Sequence, residues 1–484
     1  MFACLNVLLF MTAPLLAAEP ATAASAGPID IGSRRELFVD RLLIDRLDGA
    51  RLVLHHPQPR EVVLKLDQPW EGIYSGYETI LKDGETYRFY YRGMPEARHT
   101  EDVEVTCVAE SRDGIHWTRP KLGLYEVQGA RDNNVVLARH RACHNFAPFV
   151  DANPAAPADQ RYKALGGSGK PGLIAMVSAD GLHWRELQKE PVLTKGAFDS
   201  QNNAFWSESE KCYVCYFRVF RGGTRWIARS TSDDFIHWSE PVDLELDSKP
   251  RQHLYTGQIH PYVRAPHIYI GLPTRFLPGR RVLSDEQASQ VGTPKKWNFV
   301  NDCTDIVLAS ARGGDDFKRT FLEAFIRPGP DLRNWTSRAN YAARGIVQTD
   351  ENELSLYVKH NGAYPSIHIR RYTLRPDAFV SVAGPFDGGE MVTKPLVFAG
   401  RRLTINCSTS AAGSVRVELQ TPDGKAIEGF ALADCPEITG DQLERTVSWK
   451  SGGDVGALAG KGVRLRFVLK DADLFSLRFG DQEP

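Results

Sequence analysis

One phrase recurs along the chain. Ser111-Arg-Asp-Gly-Ile-His-Trp117 returns as Ser178-Ala-Asp-Gly-Leu-His-Trp184 and again as Ser232-Asp-Asp-Phe-Ile-His-Trp238. Fainter copies stand at Ser310-Ala-Arg-Gly-Gly-Asp-Asp-Phe317 and Asp331-Leu-Arg-Asn-Trp335. A turn repeated with an aromatic at fixed offset means that one supersecondary unit was copied several times. Asp-Gly suits a hairpin turn, because Gly takes positive φ without a Cβ clash and Asp can bond its own backbone. Repeated residues build a frame. The Trp is therefore read as packing between neighbouring units, and chemistry is sought in residues unique to each unit.

The segments between the repeats are strand-like. Tyr87-Arg-Phe-Tyr-Tyr91, Cys212-Tyr-Val-Cys-Tyr-Phe217, His267-Ile-Tyr-Ile270 and Leu354-Ser-Leu-Tyr-Val358 are short, aromatic or β-branched, and bounded by turns. No stretch carries long helical periodicity; one short helix is expected over 284–290. The grammar is that of a β-propeller blade. At roughly 40 to 70 residues per four-stranded blade with loops, residues 30–382 fit five blades better than six. Innermost strands are expected near 77–81, 145–150, 202–206, 258–263 and 353–357. Near 383–389 the texture changes to alternating strands such as Val415-Arg-Val-Glu-Leu419. Alternation implies one buried and one wet face. The expected fold class is all-β, a five-bladed β-propeller over 30–382 followed by a small antiparallel β-sandwich over 390–484.

Lys and Arg number 59 and Asp and Glu 60, a formal net charge of -1, which gives no reason to expect nucleic acid or an anionic membrane surface as partner. Residues 5–16 are nearly all apolar, and Ala17-Ala18 and Ala21-Thr-Ala23 supply small residues for cleavage. Residues 1–25 are read as a signal peptide, too short to span a bilayer. The expected location is secreted or periplasmic, with no integral membrane segment after signal removal. The cysteines are sparse, so there is no disulfide scaffold. Cys212 and Cys215 read as small buried strand residues, while Cys407 and Cys435 can form one bridge in the C-terminal domain. No metal-ligand motif appears, and no cofactor is expected; a structural calcium is left open.

In a propeller the innermost strands converge on a channel, so a site there collects one or two side chains per blade. Glycoside hydrolysis needs two carboxyl groups flanking the bond. Glu78, Asp199 and Glu353 stand at the expected starts of inner strands, and Asp199 has the most polar surroundings. Asp199 and Glu78 are the expected pair, with Glu353 as third candidate; Asp305 is a fourth, equally readable as the start of a strand. Arg92, Arg218 and Arg275 each follow an aromatic strand. They can grip a carboxylate or sulfate on a sugar, or serve as frame ion pairs. His144, Asn145, Gln201, Asn202 and His260 are expected to bind sugar hydroxyls. A phosphate loop, a dinucleotide fingerprint, a Gly-x-Ser-x-Gly elbow and a His-Glu-x-x-His helix are absent from the sequence.

These motifs resemble a family. Ser111-Arg-Asp-Gly-Ile-His-Trp117 with Lys121-Leu-Gly-Leu124 and Asp132-Asn-Asn-Val135, then Asn145-Phe146-x-Pro148-Phe149-x-Asp151 with Arg161-Tyr-Lys-Ala164, then Phe198-Asp-Ser-Gln-Asn202 with Phe205-Trp206, are similar to the five-bladed propeller proteins grouped as glycosyl hydrolase family 32/43-like. Pro328-Gly-Pro-Asp331 and Asn334-Trp335 match as well. The resemblance implies an exported bacterial protein that acts on a polysaccharide or oligosaccharide. It does not carry the catalytic roles over. Family 32 places acids in Asn-Asp-Pro-Asn-like, Arg-Asp-Pro and Glu-Cys motifs, and none is intact here. Family 43 needs Asp, Asp and Glu on successive blades, where this chain offers Glu78, Asn145 and Asp199. A non-catalytic carbohydrate-binding propeller and, behind it, a sialidase-like enzyme are the alternatives.

Overall fold

The computed structural model describes residues 27–481 apart from 97, 99, 101 and 247–250. The signal segment expected over 1–25 lies outside the described residues. The described chain is nearly all β. Its helix at Asp285–Gln290 falls where the sequence places one, opened by a capping box between Ser284 and Gln287.

Five antiparallel sheets follow one another. The first contains Gly76–Asp83, Thr86–Gly93, Val105–Ser111 and Val135–Ala138. The second contains Ala147–Val150, Tyr162–Gly166, Ile174–Ser178 and Arg185–Glu186, and the third Asn203–Ser207, Cys212–Arg221, Thr224–Ser232 and Val242–Asp243. The fourth joins His260–Tyr262, Ala265–Gly271 and Ala309–Ala311; within it a second small sheet is inserted from His253–Leu254, Thr274–Leu277 and Cys303–Ile306. In the fifth, Tyr341–Ala342 and Val347–Asp350 both pair with Glu353–His360, which pairs with His368–Leu374. Its outermost strand, Gln58–Lys65, comes from the other end of the chain. The first strands of sheets one, two, three and four touch in order, and Val347–Asp350 of the fifth touches Gly76–Asp83 of the first. Gln258 Nε2 donates to Ala342 O, joining the fourth sheet to the fifth. The sequence of contacts thus closes on itself.

The repeated phrase explains how the sheets are held together. In each of the first three copies the Asp accepts two backbone N–H groups and binds the His ring, as Asp113 does with Ile115, His116 and His116 Nδ1. The Trp indole donates back to the turn: Trp117 to Gly114 O, Trp184 to Gly181 O, Trp238 to Phe235 O. The turn then receives its neighbour. Tyr357 of the fifth sheet donates to Gly114 O, Tyr90 of the first to Gly181 O, and Tyr216 of the third to Gly314 O. The faint fourth copy is thereby used in the same way as the strong ones.

Two expectations need correction. The inner strand of the fifth sheet is not 353–357. Glu353–His360 is the second strand, and the inner position belongs to the broken pair Tyr341–Ala342 and Val347–Asp350. The break falls at Gly345, where φ is +106 and an added Cβ would lie 2.4 Å from Ile80 O. The division at 30 and 382 also changes. Arg35–Leu37, Ile44–Asp48, Arg51–Leu54 and Val380–Gly384 all join the sheet built on the long strands Arg402–Gln420 and Arg464–Gly480. The core of that unit accordingly includes Ile31, Phe38 and Leu43 beside Leu403, Val417, Phe467 and Phe479. Cys407 and Cys435 are buried free thiols, so the bridge between them does not form.

Candidate functional site

Four residues at the thresholds of the inner strands adopt left-handed backbone: Tyr77 (φ 57), Asn145 (φ 56), Gln258 (φ 49) and Arg338 (φ 64). None is glycine, so each costs about 1–3 kcal/mol and is held in place by its surroundings. Asn145 shows how. Arg92 Nη1 donates to its Oδ1 at 2.8 Å, and its Nδ2 donates to Ser200 O at 3.1 Å. Ser200 Oγ in turn donates to Tyr255 O, and Asn202 Nδ2 donates to Phe198 O and Ser200 O. The loop 198–202 is pinned from three sides. Phe198 is buried, and Asp199 points the other way with half its side chain exposed.

Asp199 ends a chain of charged groups. His144 follows the short 3-10 turn Arg141–Cys143. Its Nδ1 lies 2.8 Å from Glu104 Oε2, and its Nε2 lies 3.4 Å from Asp199 Oδ1. Arg92 Nη1 lies 3.5 Å from Glu104 Oε1, and Arg218 Nη2 lies 3.5 Å from Asp199 Oδ2. Burial works against a charged imidazole. The hydrogen bonds to Asp199 and Glu104 outweigh it and hold His144 above its ordinary value. For Asp199, burial favours the neutral acid, but His144, Arg218 and Arg92 together hold the carboxyl well below the usual range. Both shifts favour an imidazolium beside a carboxylate.

Two cavities meet at Asp199. One, of about 630 Å³, is lined by Glu104, His140, His144, Lys170 and Asp199. The other is narrow, about 30 Å³, and is lined by Tyr74, Tyr77, Arg92, Asp199, Tyr255, Phe299, Arg338, Tyr341 and Lys359. Cations lie over its rings: Arg92 over Tyr77 at 4.8 Å, Arg338 over Phe299 at 5.3 Å and Lys359 over Tyr341 at 4.7 Å. Arg218 lies over Tyr255 at 5.0 Å.

Of the residues expected at a site, Asp199, His144, Arg92 and Arg218 come together here. Glu78 lies nearby but buried, and its two carboxyl oxygens have no hydrogen-bond partner. Burial raises it above its ordinary value, against the pull of Lys359 and Arg92. Lys359 is pushed down to about 8 by its own burial, which the charge of Glu78 opposes. Asn145, Gln201 and Asn202, expected to bind sugar, are fully buried and bonded into the frame. Gln201 donates to Tyr77 O, Glu78 O and Thr79 Oγ1 and accepts from Gln258, fastening the entries of neighbouring sheets to one another.

Three residues lie elsewhere. Glu353 accepts from Arg371 and Thr349 on the second strand of the fifth sheet, a frame ion pair that follows from the strand correction above. Arg275 is paired with Asp305 in the inserted sheet. His260 is buried and, with Arg344, lines a separate cavity of about 540 Å³. Burial, with Arg344 adding to it, pushes His260 down to about 3.

The sequence did not single out Glu104, Arg338 and Lys359. Glu104 precedes an apolar strand with no aromatic or repeated flank, and Lys359 sits in a strand read as frame. Among the described residues no group of three or more His, Cys, Asp or Glu side chains converges as a metal site, and no helix is long and apolar enough to cross a membrane.

No protein-family model matches the chain, and no curated protein matches it. Solved structures similar to it include carbohydrate-active proteins. One is an N-acetylgalactosamine deacetylase from F. plautii in complex with blood group B trisaccharide, at 12% identity and TM-score 0.40, over 73% of this chain and 96% of that one. Another is a glycoside hydrolase family 43 arabinoxylan arabinofuranohydrolase from Bacillus subtilis, at 11% identity and TM-score 0.40, over 86% and 97%. A GH130 family structure aligns at 14% identity and TM-score 0.40, over 67% and 95%. At this level of similarity they leave substrate and reaction open.

Proposed function

We propose that the five sheets form a five-bladed propeller over 58–374, that residues 29–54 and 380–480 form a β-sandwich packed on it, and that the protein is an exported glycoside hydrolase. The observation that carries the reading is the chain Glu104–His144–Asp199 on the wall of the wide cavity. It supplies an ionised carboxylate and a charged proton donor side by side. In hydrolysis, Asp199 takes a proton from water as the water oxygen bonds to the anomeric carbon. His144 gives a proton to the leaving glycosidic oxygen as the carbon–oxygen bond breaks. Proton transfer from Asp199 back to His144 restores both groups. Direct attack by water is inverting chemistry, in which acid and base stand roughly 6.5–9.5 Å apart to admit the water, so the reading requires the 3.4 Å contact to open when substrate binds. Glu104 positions the imidazole and keeps it charged.

Binding without cleavage is the second reading. It is favoured by the narrow cavity, where aromatic side chains surround Asp199, the one carboxylate among its described lining residues. Release of reducing sugar from a panel of polysaccharides separates the two. The hydrolase reading expects release by wild type and a loss of at least about 100-fold in Asp199→Asn at unchanged melting temperature. Retention on polysaccharide without release would replace it with the binding reading.

A further inference from the structure

The fifth copy of the repeated phrase is put to a different use. Asp331-Leu-Arg-Asn-Trp335 keeps its Asp and Trp at the offset of Asp113 and Trp117. Where the first three copies carry an exposed His bound to its own Asp, this one carries Asn334, which is 3% exposed. Asn334 Nδ2 donates to His360 Nδ1 at 2.7 Å, and its Oδ1 accepts from Asn361 N at 2.8 Å. Trp335 donates to Gly329 O, outside the phrase. The turn thereby becomes part of the wall of a cavity of about 540 Å³, shared with the start of Gln58–Lys65 and with the second and third strands of the fifth sheet. That volume lies within the roughly 300–1,000 Å³ of small-molecule sites. Among the described residues, none lines both this cavity and either of those at Asp199.

The fifth sheet gives the cavity a row of rings. His360 and His368 are register partners, and Tyr372 follows His368 on the same face. The His360 ring lies 5.5 Å from His368 and 5.9 Å from Tyr372, with planes 9° and 8° apart. Hydrogen bonds fix what each group offers. The Asn334 amide can only donate to His360 Nδ1, so His360 Nε2 carries the proton and donates to the Tyr372 hydroxyl at 3.0 Å. The Tyr372 proton then has no acceptor among the described residues. His368 Nδ1 donates to Ser366 O at 2.8 Å, which leaves Nε2 a lone pair, buried and without a partner. Burial holds His368 below its ordinary value and favours this neutral ring. Asn361 is left-handed, with φ 55, and 3% exposed. Its Nδ2 donates to Asp331 and Ser366, so its Oδ1 is an acceptor, and that oxygen has no partner.

The cavity thus combines two unmet acceptors, one spare donor and flat ring surface. An unmet buried acceptor costs about 1–3 kcal/mol, which favours a ligand with protons to give. An anion such as sulfate has none, and a cation would meet Arg327 and Arg370 in the same lining. A neutral pyranose carries hydroxyls that donate and accept around its rim, and C–H groups on its faces. We propose that this cavity is a second carbohydrate site, which takes one neutral sugar unit of a glycan and holds it apart from Asp199. The second site rests on the carbohydrate reading above and adds to it.

The test uses the full chain as wild type, Asp199→Asn, His368→Ala and Tyr372→Phe. The probes are neutral oligosaccharides prepared from a polysaccharide that retains the wild type on a gel. Calorimetry counts the sites, and crystals of the wild type soaked in the same oligosaccharides locate them. The expected result is two sites, with sugar against Asn361, His368 and Tyr372 at one of them. Affinity at that site should survive in Asp199→Asn, fall on the order of tenfold in His368→Ala and less in Tyr372→Phe, and hold steady with added salt. A single site that His368→Ala leaves intact, or sugar in the crystal at Asp199 alone, would overturn the second site and leave the proposed function standing. Failure to retain the protein on any polysaccharide would overturn both. The wild-type crystal decides the matter even where a variant does not fold.

Discussion

His144 is charged only while Asp199 and Glu104 hold it so, and this fixes two pH dependences. Its folded value lies above the 6.5 of a free imidazole. Its ion pairs therefore stabilise the fold fully below about pH 6.5, and that contribution is lost as pH rises through the raised value. The gap in melting temperature between wild type and His144→Gln should be wide near pH 6 and narrow as pH rises through the raised value; a gap that widens with pH would contradict the assignment. Activity should fall on the same basic limb as the proton donor is lost. Because the Asp199 value lies well below 3.8, its deprotonated form persists into acid. Glu104→Gln removes one of the two charges supporting the imidazolium. The basic limb should move to lower pH while activity at its optimum survives in part, a shift that a purely structural loss would not produce. At this scale the sequence was readable where polarity was dense: the loop 198–202 announced Asp199, and Cys143-His144-Asn145 announced His144. Glu104 had no such flag, because its partner is 40 residues away and only the fold brings them together.

Among the elements, the repeated turns serve as joints between sheets. Gly181 has φ +78, and an added Cβ would stand 2.5 Å from Arg88 Nη1 and 2.6 Å from the Tyr90 hydroxyl. Gly84, in a turn with φ +58, has nothing within 4 Å. Gly181→Ala should therefore lower stability by roughly 2 kcal/mol or more, and Gly84→Ala by about 1 kcal/mol. Urea unfolding of both variants measures the difference, and equal losses would show that the joint is not under load. Tyr357→Phe removes one of two donors to the Gly114 carbonyl, leaving the Trp117 indole, and should cost about 0.5–1 kcal/mol. These turns could be read from sequence because Ser, Asp and Gly act locally. The inner strand of the fifth sheet could not. Its residues are split by Gly345 and paired to a strand whose own pattern is far stronger, so the strong strand was assigned the inner place and Glu353 went with it.

The whole molecule is tied at both ends. Gln58–Lys65 completes the fifth sheet against His368–Leu374, and residues 29–54 cross into the sheet formed by 380–480. Asp377 lies at the junction, 3.2 Å from Arg35 and 3.0 Å from Arg264, and accepts from Tyr262 and Ser476. Asp377→Ala leaves two cations without this buried partner and should cost about 3–5 kcal/mol, seen as one cooperative loss in thermal unfolding. Two separate transitions would mean that the units are stable apart. Sequence texture changes near 383 but gives no sign of the crossing at the N-terminal end, because three- to five-residue strands carry too little pattern to name a partner.

The most direct test is a crystal structure of Asp199→Asn with an oligosaccharide that the wild type cleaves. The account predicts a glycosidic oxygen lodged between residue 199 and His144 Nε2, with the sugar in the wide cavity. Sugar bound instead in the separate cavity lined by His260 and Arg344 would contradict it.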